Sequence, residues 1–250
     1  MNAALPLIAH VVHRFDYGGL ENGVANLVNG LPADRYRQAI VGLAGICAFR
    51  ERVRRPEVEL VSMDKREGKD PAAYVRLWRW LRARRPAIVH TRNVGTVDCQ
   101  WVAWAAGVPG RVHGEHGWEA SDPFGTESRP LRLRRLCRPV IQRYVPMSRD
   151  LGRWLEQTVG VPCERIRQLY SGVDVHRFSP EPGAAAARDQ VVIGTVGRLD
   201  PVKNQAALVG ALRRIHDRDP ARAGHLNLII VGDGPQRVAL EDCVRAAGLQ

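Results

Sequence analysis

The side chains best suited to chemistry gather at a few strand-to-helix turns. In Val191–Asn204, VVIGTVGRLDPVKN, an apolar run reads as a short buried strand. It leads through Gly197 and Arg198 to Lys203 and a helix marked by Leu208, Ala211, Leu212 and Ile215. The first N–H groups of a helix attract anions, and two cations beside them favour a phosphate-bearing ligand. The same residue types also occur at such turns with no ligand at all. Leu226–Pro235, LNLIIVGDGP, supplies a second strand and a turn built from Gly232, Asp233, Gly234 and Pro235. Gly232-x-Gly234 is part of a dinucleotide fingerprint, but Arg237 stands at the third glycine position, which argues against a nicotinamide oxidoreductase.

Three further turns carry polar groups. Arg111–Trp118, RVHGEHGW, runs from a strand into glycines that free the backbone around His116. An imidazole there can hydrogen-bond a ligand hydroxyl or stabilise developing charge; His113 is the alternative, and either can be a structural histidine. A zinc site from His113, Glu115 and His116 lacks further ligands at a recognised spacing. His90, followed by Arg92 and Asn93, ends the strand Ala87–Thr91 at its carboxyl end, where open α/β sheets bind ligands. It can equally be satisfied by local backbone. Gly18, Gly19 and Glu21 open the first helix, where paired glycines allow close backbone approach to a ligand or simply make a tight turn. Glu21 also suits the first helical turn on charge alone.

To position these turns, strands are expected at Leu7–His13, Gln38–Leu43, Val58–Met63, Ala87–Thr91, Arg111–His113 and Tyr144–Met147. Their alternation with helical segments implies an α/β fold of βαβ units on parallel sheets. The first helix shows Leu20, Val24, Leu27, Val28 and Leu31 on one face. Ala72–Arg85 reads as a helix with Val75, Trp78 and Leu81 inward and a solvated arginine face, stopped by Pro86; the alternative is a membrane-surface helix. Gly95–Ala106, with Trp101 and Trp104, is apolar around much of its circumference and is expected to be buried. Arg129–Tyr144 reads as an amphipathic helix, interrupted or started late by Pro139, whose arginines, Arg134 among them, form a basic face set against Leu133, Leu136, Val140 and Ile141. Ser148 is placed to cap a helix over Arg149–Thr158. The expected organisation is a first domain over 1–180, a linker over 181–189 and a second domain over 190–250.

The 250 residues are 45% hydrophobic, enough for a real core, and carry a formal net charge of +11. That charge favours polyanionic partners such as nucleotide diphosphates, anionic lipid headgroups or nucleic acid. A nucleic-acid role lacks any recognisable reading module. The five cysteines form no C-x-x-C pair and read as reduced thiols of a cytoplasmic protein. No run approaches the length of a membrane span, and peripheral contact with the inner face of a membrane stays open.

GRLDPVKN followed by VGDGP resembles the donor-binding half of family 4 glycosyltransferases, and Ser171–Asp174 with Phe178-Ser179-Pro180 resembles the family's N-G-V-D…F-x-P segment, with Ser171 in place of asparagine. The resemblance implies a GT-B fold of two Rossmann-like parallel-sheet domains, the second incomplete. It implies retaining transfer of a sugar from a nucleotide-diphosphate sugar, which is substrate and not cofactor, to a glycan or lipid-linked acceptor, with no metal required. Arg198 and Lys203 would neutralise the leaving diphosphate, and Gly197 and Gly232–Pro235 would complete the donor site. His116 would line the cleft between domains as a catalytic residue, with Gly18, Gly19, Glu21 and His90 on the acceptor side. The family's later pair of glutamates, separated by seven residues, has no counterpart before Gln250. The expectation is therefore a truncated member with impaired donor binding, its last strand left with an open edge.

Overall fold

A computed structural model describes residues 5–118, 122, 125–180 and 190–249 of the chain. The chain forms two compact units, 1–173 and 174–250. The segment 181–189, expected as a linker, lies outside the described residues.

The first unit is built on a six-stranded, wholly parallel sheet. Its strands are β1 (Leu7–Val12), β2 (Arg37–Gly42), β3 (Glu59–Ser62), β4 (Ile88–Arg92), β5 (Gly110–Glu115) and β6 (Arg143–Pro146). They lie in the order β3-β2-β1-β4-β5-β6. The helices are α1 (Gly19–Gly30), α2 (Pro71–Arg84), α3 (Val94–Val97), α4 (Cys99–Ala105), α5 (Ser128–Cys137) and α6 (Arg149–Trp154). Because both faces of such a sheet are covered, its strands read as nearly continuous apolar runs. Ala9, Val11, Val41 and Val89 pack under Leu77 and Leu81 of α2 and Ala103 of α4. Val12 and Ile40 pack on the other face against Val24, Ala25 and Val28 of α1.

Local signals start and stop these helices. Asp70 accepts from the Ala73 N–H at the start of α2, Pro71 occupies its first turn, and Arg85 ends it in the left-handed region at φ 47° just before Pro86. Ser148 caps α6 through the Leu151 N–H, as its position suggests.

Four expectations change. In α2 the inward residues are Ala73, Leu77 and Leu81, one per turn, so Val75 and Trp78 turn outward, and the Trp78 indole N–H reaches the Ala105 carbonyl at 3.4 Å. In α4 the small residues Cys99 and Ala103, with Gln100, face the sheet, which lets the helix pack closely and leaves Trp101 and Trp104 exposed. The helix expected over Arg129–Tyr144 with an interruption at Pro139 is α5 as far as Cys137, and a short 3-10 segment at Arg138–Val140, holding Pro139, leads into β6. The buried face of α5 holds Arg134 and Cys137, while Leu136 is exposed, so Arg134 leaves the solvated basic face.

The second unit pairs β7 (Val191–Val196) with β8 (Leu226–Val231) in parallel. They are accompanied by α7 (Gln205–Arg218), α8 (Pro220–Ala223) and α9 (Arg237–Ala246). The fourth correction falls here: β7 is not buried. Val191, Val192 and Ile193 are exposed and Val196 is 82% exposed, because a two-stranded layer with these helices covers only part of its own surface.

Candidate active site

The order β3-β2-β1-β4-β5-β6 reverses direction between β1 and β4, and in open parallel sheets the crevice at the carboxyl ends beside that switch holds ligands. In this chain the place is occupied by polar side chains sealed from water. His10 of β1 is in register with His90 of β4, and Arg92 of β4 is in register with Gly114 of β5. The Arg92 guanidinium, 3% exposed, donates through Nη2 to Nδ1 of His10 and Nδ1 of His90, both at 3.2 Å. Nε2 of His10 meets Oε1 of Gln38 at 3.1 Å, and the Gln38 amide donates to the Val28 carbonyl in the last turn of α1, where helix carbonyls lack an intrahelical partner.

Burial sets the charge states. It pulls His10 down to about 3, with the Arg92 charge adding to the effect, and drives His90 well below its ordinary value for the same two reasons. Burial also lowers Arg92 to about 9, opposed by nearby Glu21, so at neutral pH the cluster is one cation among neutral imidazoles.

His116 stands just past β5, half-buried. Its backbone N–H donates to Oδ1 of Asn93 at 2.8 Å, and the Asn93 N–H donates to the Gly114 carbonyl at 2.8 Å. Asn93 sits at φ 53°, ψ 176°, a conformation that costs on the order of 1–3 kcal/mol outside glycine and survives where the surroundings enforce it. Burial, then the Arg92 charge, lowers His116 to about 4. Nε2 of His116 and Nε2 of His90 are both buried without a hydrogen-bond partner among the described residues. Both converge on Gly114: a side-chain carbon there would lie 3.0 Å from the His116 atom and 3.1 Å from the His90 atom.

On the opposite face of β5, His113 is fully buried between Thr91 Oγ1 at 2.8 Å and Glu115 Oε1 at 3.2 Å, which makes it a structural residue. Glu115 takes a two-pronged contact from Arg134 of α5, Nε to Oε1 at 2.7 Å and Nη2 to Oε2 at 3.1 Å. Burial pushes the Glu115 carboxyl up, but the hydrogen bond and charge of His113 and of Arg134 outweigh it and hold the group at about 2.

At the start of α1, the Glu21 carboxylate folds back over Gly18, where a side-chain carbon would overlap it. Glu21 is the third residue of the helix, so this is the reach-back of an N-terminal capping arrangement. Gly18 has an extended backbone, φ −167°, and open space surrounds the position of a Gly19 side chain, so the room Glu21 needs is what requires glycine at 18.

In the second unit the two glycine turns interlock through backbone. The Gly197 N–H donates to the Val231 carbonyl, the Leu199 N–H to the Asp233 carbonyl and the Gln236 N–H to the Leu199 carbonyl, at 2.9, 2.9 and 3.0 Å. Gly232 at φ 156° and Gly234 at φ 152° lie against this strap: a side-chain carbon would fall 1.9 Å from the Gly197 oxygen and 2.5 Å from the Leu199 oxygen. Leu199 is buried beneath, and the Gln205 amide holds the Arg198 carbonyl at 3.1 Å. The Arg198 and Lys203 side chains point to solvent; Arg198 makes an exposed ion pair with Asp200 at 3.3 Å, weak enough to exchange for a stronger anion. Asp233 is exposed and lies 3.8 Å from Arg237.

The structure thus brings His90 and His116 together and places Gly18 and Glu21 at the helix that covers the same sheet, while Gly197, Arg198, Lys203 and Gly232–Pro235 gather in the second unit. His10, Gln38 and Arg134 escaped the sequence reading. A histidine inside LIAHVV and a glutamine inside RQAIVG, polar positions within adjacent apolar strands, were the available signal for the first two.

Fold and site together define a protein with a Rossmann-type parallel sheet, carrying a polar cluster at its switch point, and a second α/β unit. The family model for Glycosyltransferase Family 4 matches residues 17–177, and the chain belongs to that family. Among curated relatives it is 27% identical to EpsF of Bacillus subtilis (strain 168), named as a glycosyltransferase, over 100% of this chain and 67% of that one. It is 33% identical to D-inositol 3-phosphate glycosyltransferase of Nocardia farcinica (strain IFM 10152) over 40% of this chain and 23% of that protein. Anabaena Alr3699/HepE, in complex with UDP and glucose, shares the fold with a TM-score of 0.72 at 18% identity, covering 97% of this chain and 67% of that one. Sucrose-phosphate synthase of Thermosynechococcus elongatus gives 0.71 at 16% identity, covering 98% and 68%. The GT-B expectation therefore holds, and the chain spans about two thirds of EpsF and of these structures.

Proposed function

We propose that the chain moves a sugar, with retention at the anomeric carbon, from a nucleotide-diphosphate sugar to an acceptor hydroxyl during synthesis of a surface polysaccharide or lipid-linked glycan at the cytoplasmic side of a membrane. The observation that carries this reading is the pair of interlocked glycine turns with two outward cations, Arg198 and Lys203. The bond from the anomeric carbon to the diphosphate breaks, negative charge collects on the leaving oxygens, and these cations neutralise it; such electrostatic stabilisation commonly contributes more to catalysis than any other effect. Gly197 and the Gly232-Asp233-Gly234-Pro235 turn support the nucleotide. His116 acts as a catalytic residue, with His90, Gly18, Gly19 and Glu21 on the acceptor side of the first unit. HepE, which shares the fold, has been captured with UDP-glucose.

Binding and chemistry are tested together. UDP should raise the melting temperature of the chain, since a ligand that binds only the folded form stabilises it. Lys203→Ala should abolish most of that rise and lower donor turnover by on the order of a hundredfold, as loss of one such stabiliser does. An undiminished UDP response in the variant would overturn the role of Lys203.

Trp78, Trp101 and Trp104 stand exposed on α2 and α4, with Arg79, Arg82 and Arg84 exposed on α2 and Arg85 at its end, and this aromatic and basic surface supports peripheral contact with anionic membrane. Vesicles containing phosphatidylserine should retain the chain, and Trp101→Ser with Trp104→Ser should weaken retention several-fold. Equal retention of both forms would remove these tryptophans from the contact.

A further inference from the structure

We infer that Arg92 is a positioning residue of the acceptor side: it commits the lone pair of His90, so that this ring can only donate a hydrogen bond and cannot be the base that takes a proton from an acceptor hydroxyl. The acceptor's part in this rests on the transferase reading; the commitment of His90 does not.

A guanidinium carries N–H donors in a planar fork and no acceptor. The Arg92 backbone is tied to Thr96 on both sides, its N–H donating to Thr96 Oγ1 and its carbonyl accepting from the same hydroxyl, each at 2.7 Å. From that anchored position Nη1 donates to the His90 carbonyl at 3.3 Å, and Nη2 lies 3.2 Å from Nδ1 of both His10 and His90. Each Nδ1 must therefore accept, and each neutral ring carries its proton on Nε2. A separate contact demands the same of His10. The Gln38 amide nitrogen is committed to the Val28 carbonyl, which leaves its oxygen to face Nε2 of His10 at 3.1 Å, and an oxygen there needs the proton on that nitrogen.

The energetics favour the same arrangement. Arg92 is 3% exposed, and a charge taken out of water must find partners in the protein. Two imidazole lone pairs supply part of that partnership. Protonating either ring would withdraw its lone pair and set a second cation beside the first; burial, and after it the Arg92 charge, hold both rings below their ordinary values. What remains on His90 is Nε2–H, which has no acceptor among the described residues. An oxygen within reach of that atom is met by a donor. Two of the imidazoles at the switch point are thus excluded as proton acceptors, His90 by Arg92 alone and His10 by Arg92 and Gln38 together.

The test is long-range 1H–15N correlation NMR on the full chain labelled at histidine. The expected result near pH 7 is Nε2–H for both His10 and His90, each with the Nδ1 shift of a hydrogen-bonded acceptor. In Arg92→Met, His10 should keep Nε2–H, which Gln38 demands by itself. In the same variant the His90 Nδ1 resonance should move toward that of an acceptor without a donor, and an Nδ1–H form of His90 should appear beside Nε2–H. Loss of packing alone would not separate two rings held by one side chain. Nδ1–H at His10 or His90 in the wild type, or a His90 Nδ1 resonance that Arg92→Met leaves unmoved, would overturn the role of Arg92. The wild-type spectrum decides the matter even if the variant does not fold. No nucleotide sugar enters the measurement, so a failure of this role and a failure of the transferase reading are separately visible.

Discussion

Arg134→Met isolates a buried charge that the fold depends on. Glu115 is 1% exposed and is held by Arg134 at 2.7 Å and by His113 at 3.2 Å. Removing the arginine strands a carboxylate in the sheet, and breaking a buried pair from one side costs about 3–5 kcal/mol. Holding the carboxyl at about 2 in place of its ordinary 4.5 corresponds to about 3 kcal/mol at neutral pH, shared between His113 and Arg134. For a unit of this size the loss should lower Tm by on the order of 10 °C.

The pH dependence makes the expectation specific. In the wild type the folded carboxyl titrates below its unfolded value, so this contribution is complete above pH 4.5 and is lost as pH falls toward 2. Without Arg134, burial is opposed by His113 alone, so the folded value moves up from about 2 and the contribution shrinks. The variant should therefore gain less stability than the wild type as pH rises from 2 to 4.5. Arg134 also lies over the Trp154 ring at 5.1 Å, and that contact is lost too. The double variant Glu115→Gln with Arg134→Met controls for it, since both variants lack the contact and only the single one keeps the charge. The assay is urea and thermal unfolding at several pH values, followed by tryptophan emission. Equal stability of single and double variants at pH 7, or a single variant that gains as much as the wild type between pH 2 and 4.5, would refute the account.

Two other substitutions probe the turns. Gly232→Ala would place a carbon on the Gly197 oxygen at a backbone angle of φ 156°, so we expect a loss of about 1–3 kcal/mol and a weakened UDP response, checked by thermal unfolding with and without UDP. Asn93→Ala removes the acceptor of the His116 N–H and leaves alanine at φ 53°; about 2 kcal/mol should be lost, and Asn93→Gly, which relieves the backbone, should recover part of it in chemical denaturation.

The sheet was legible in the chain because each strand of the first unit is an apolar run bounded by glycine or a polar turn, and parallel strands buried on both faces have that pattern. The turns were legible because their glycines and cations are consecutive. Helix facing was less so. Val75, Trp78 and Leu81 fit a helical stripe as well as Ala73, Leu77 and Leu81 do, and only the depth of the sheet beneath, which favours small residues at 73 and 103, chooses between them. Arg134 looked like one arginine in a basic run, because nothing local shows that Glu115, nineteen residues earlier, needs a partner.

The same limit governs the polar cluster. His10, Gln38, His90 and Arg92 are far apart in the chain, and each alone is an odd polar residue in or after a strand. The parallel register sets His10 beside His90 and Arg92 beside Gly114, and there the bonding capacities of the four side chains allow one proton arrangement for His10 and His90. Burial then prevents that arrangement from being scrambled by protonation, since His10 and His116 are held at about 3 and about 4. A ligand meeting His116 between pH 6 and 8 thus meets a neutral ring. Any titration of activity in that interval must come from groups outside the cluster.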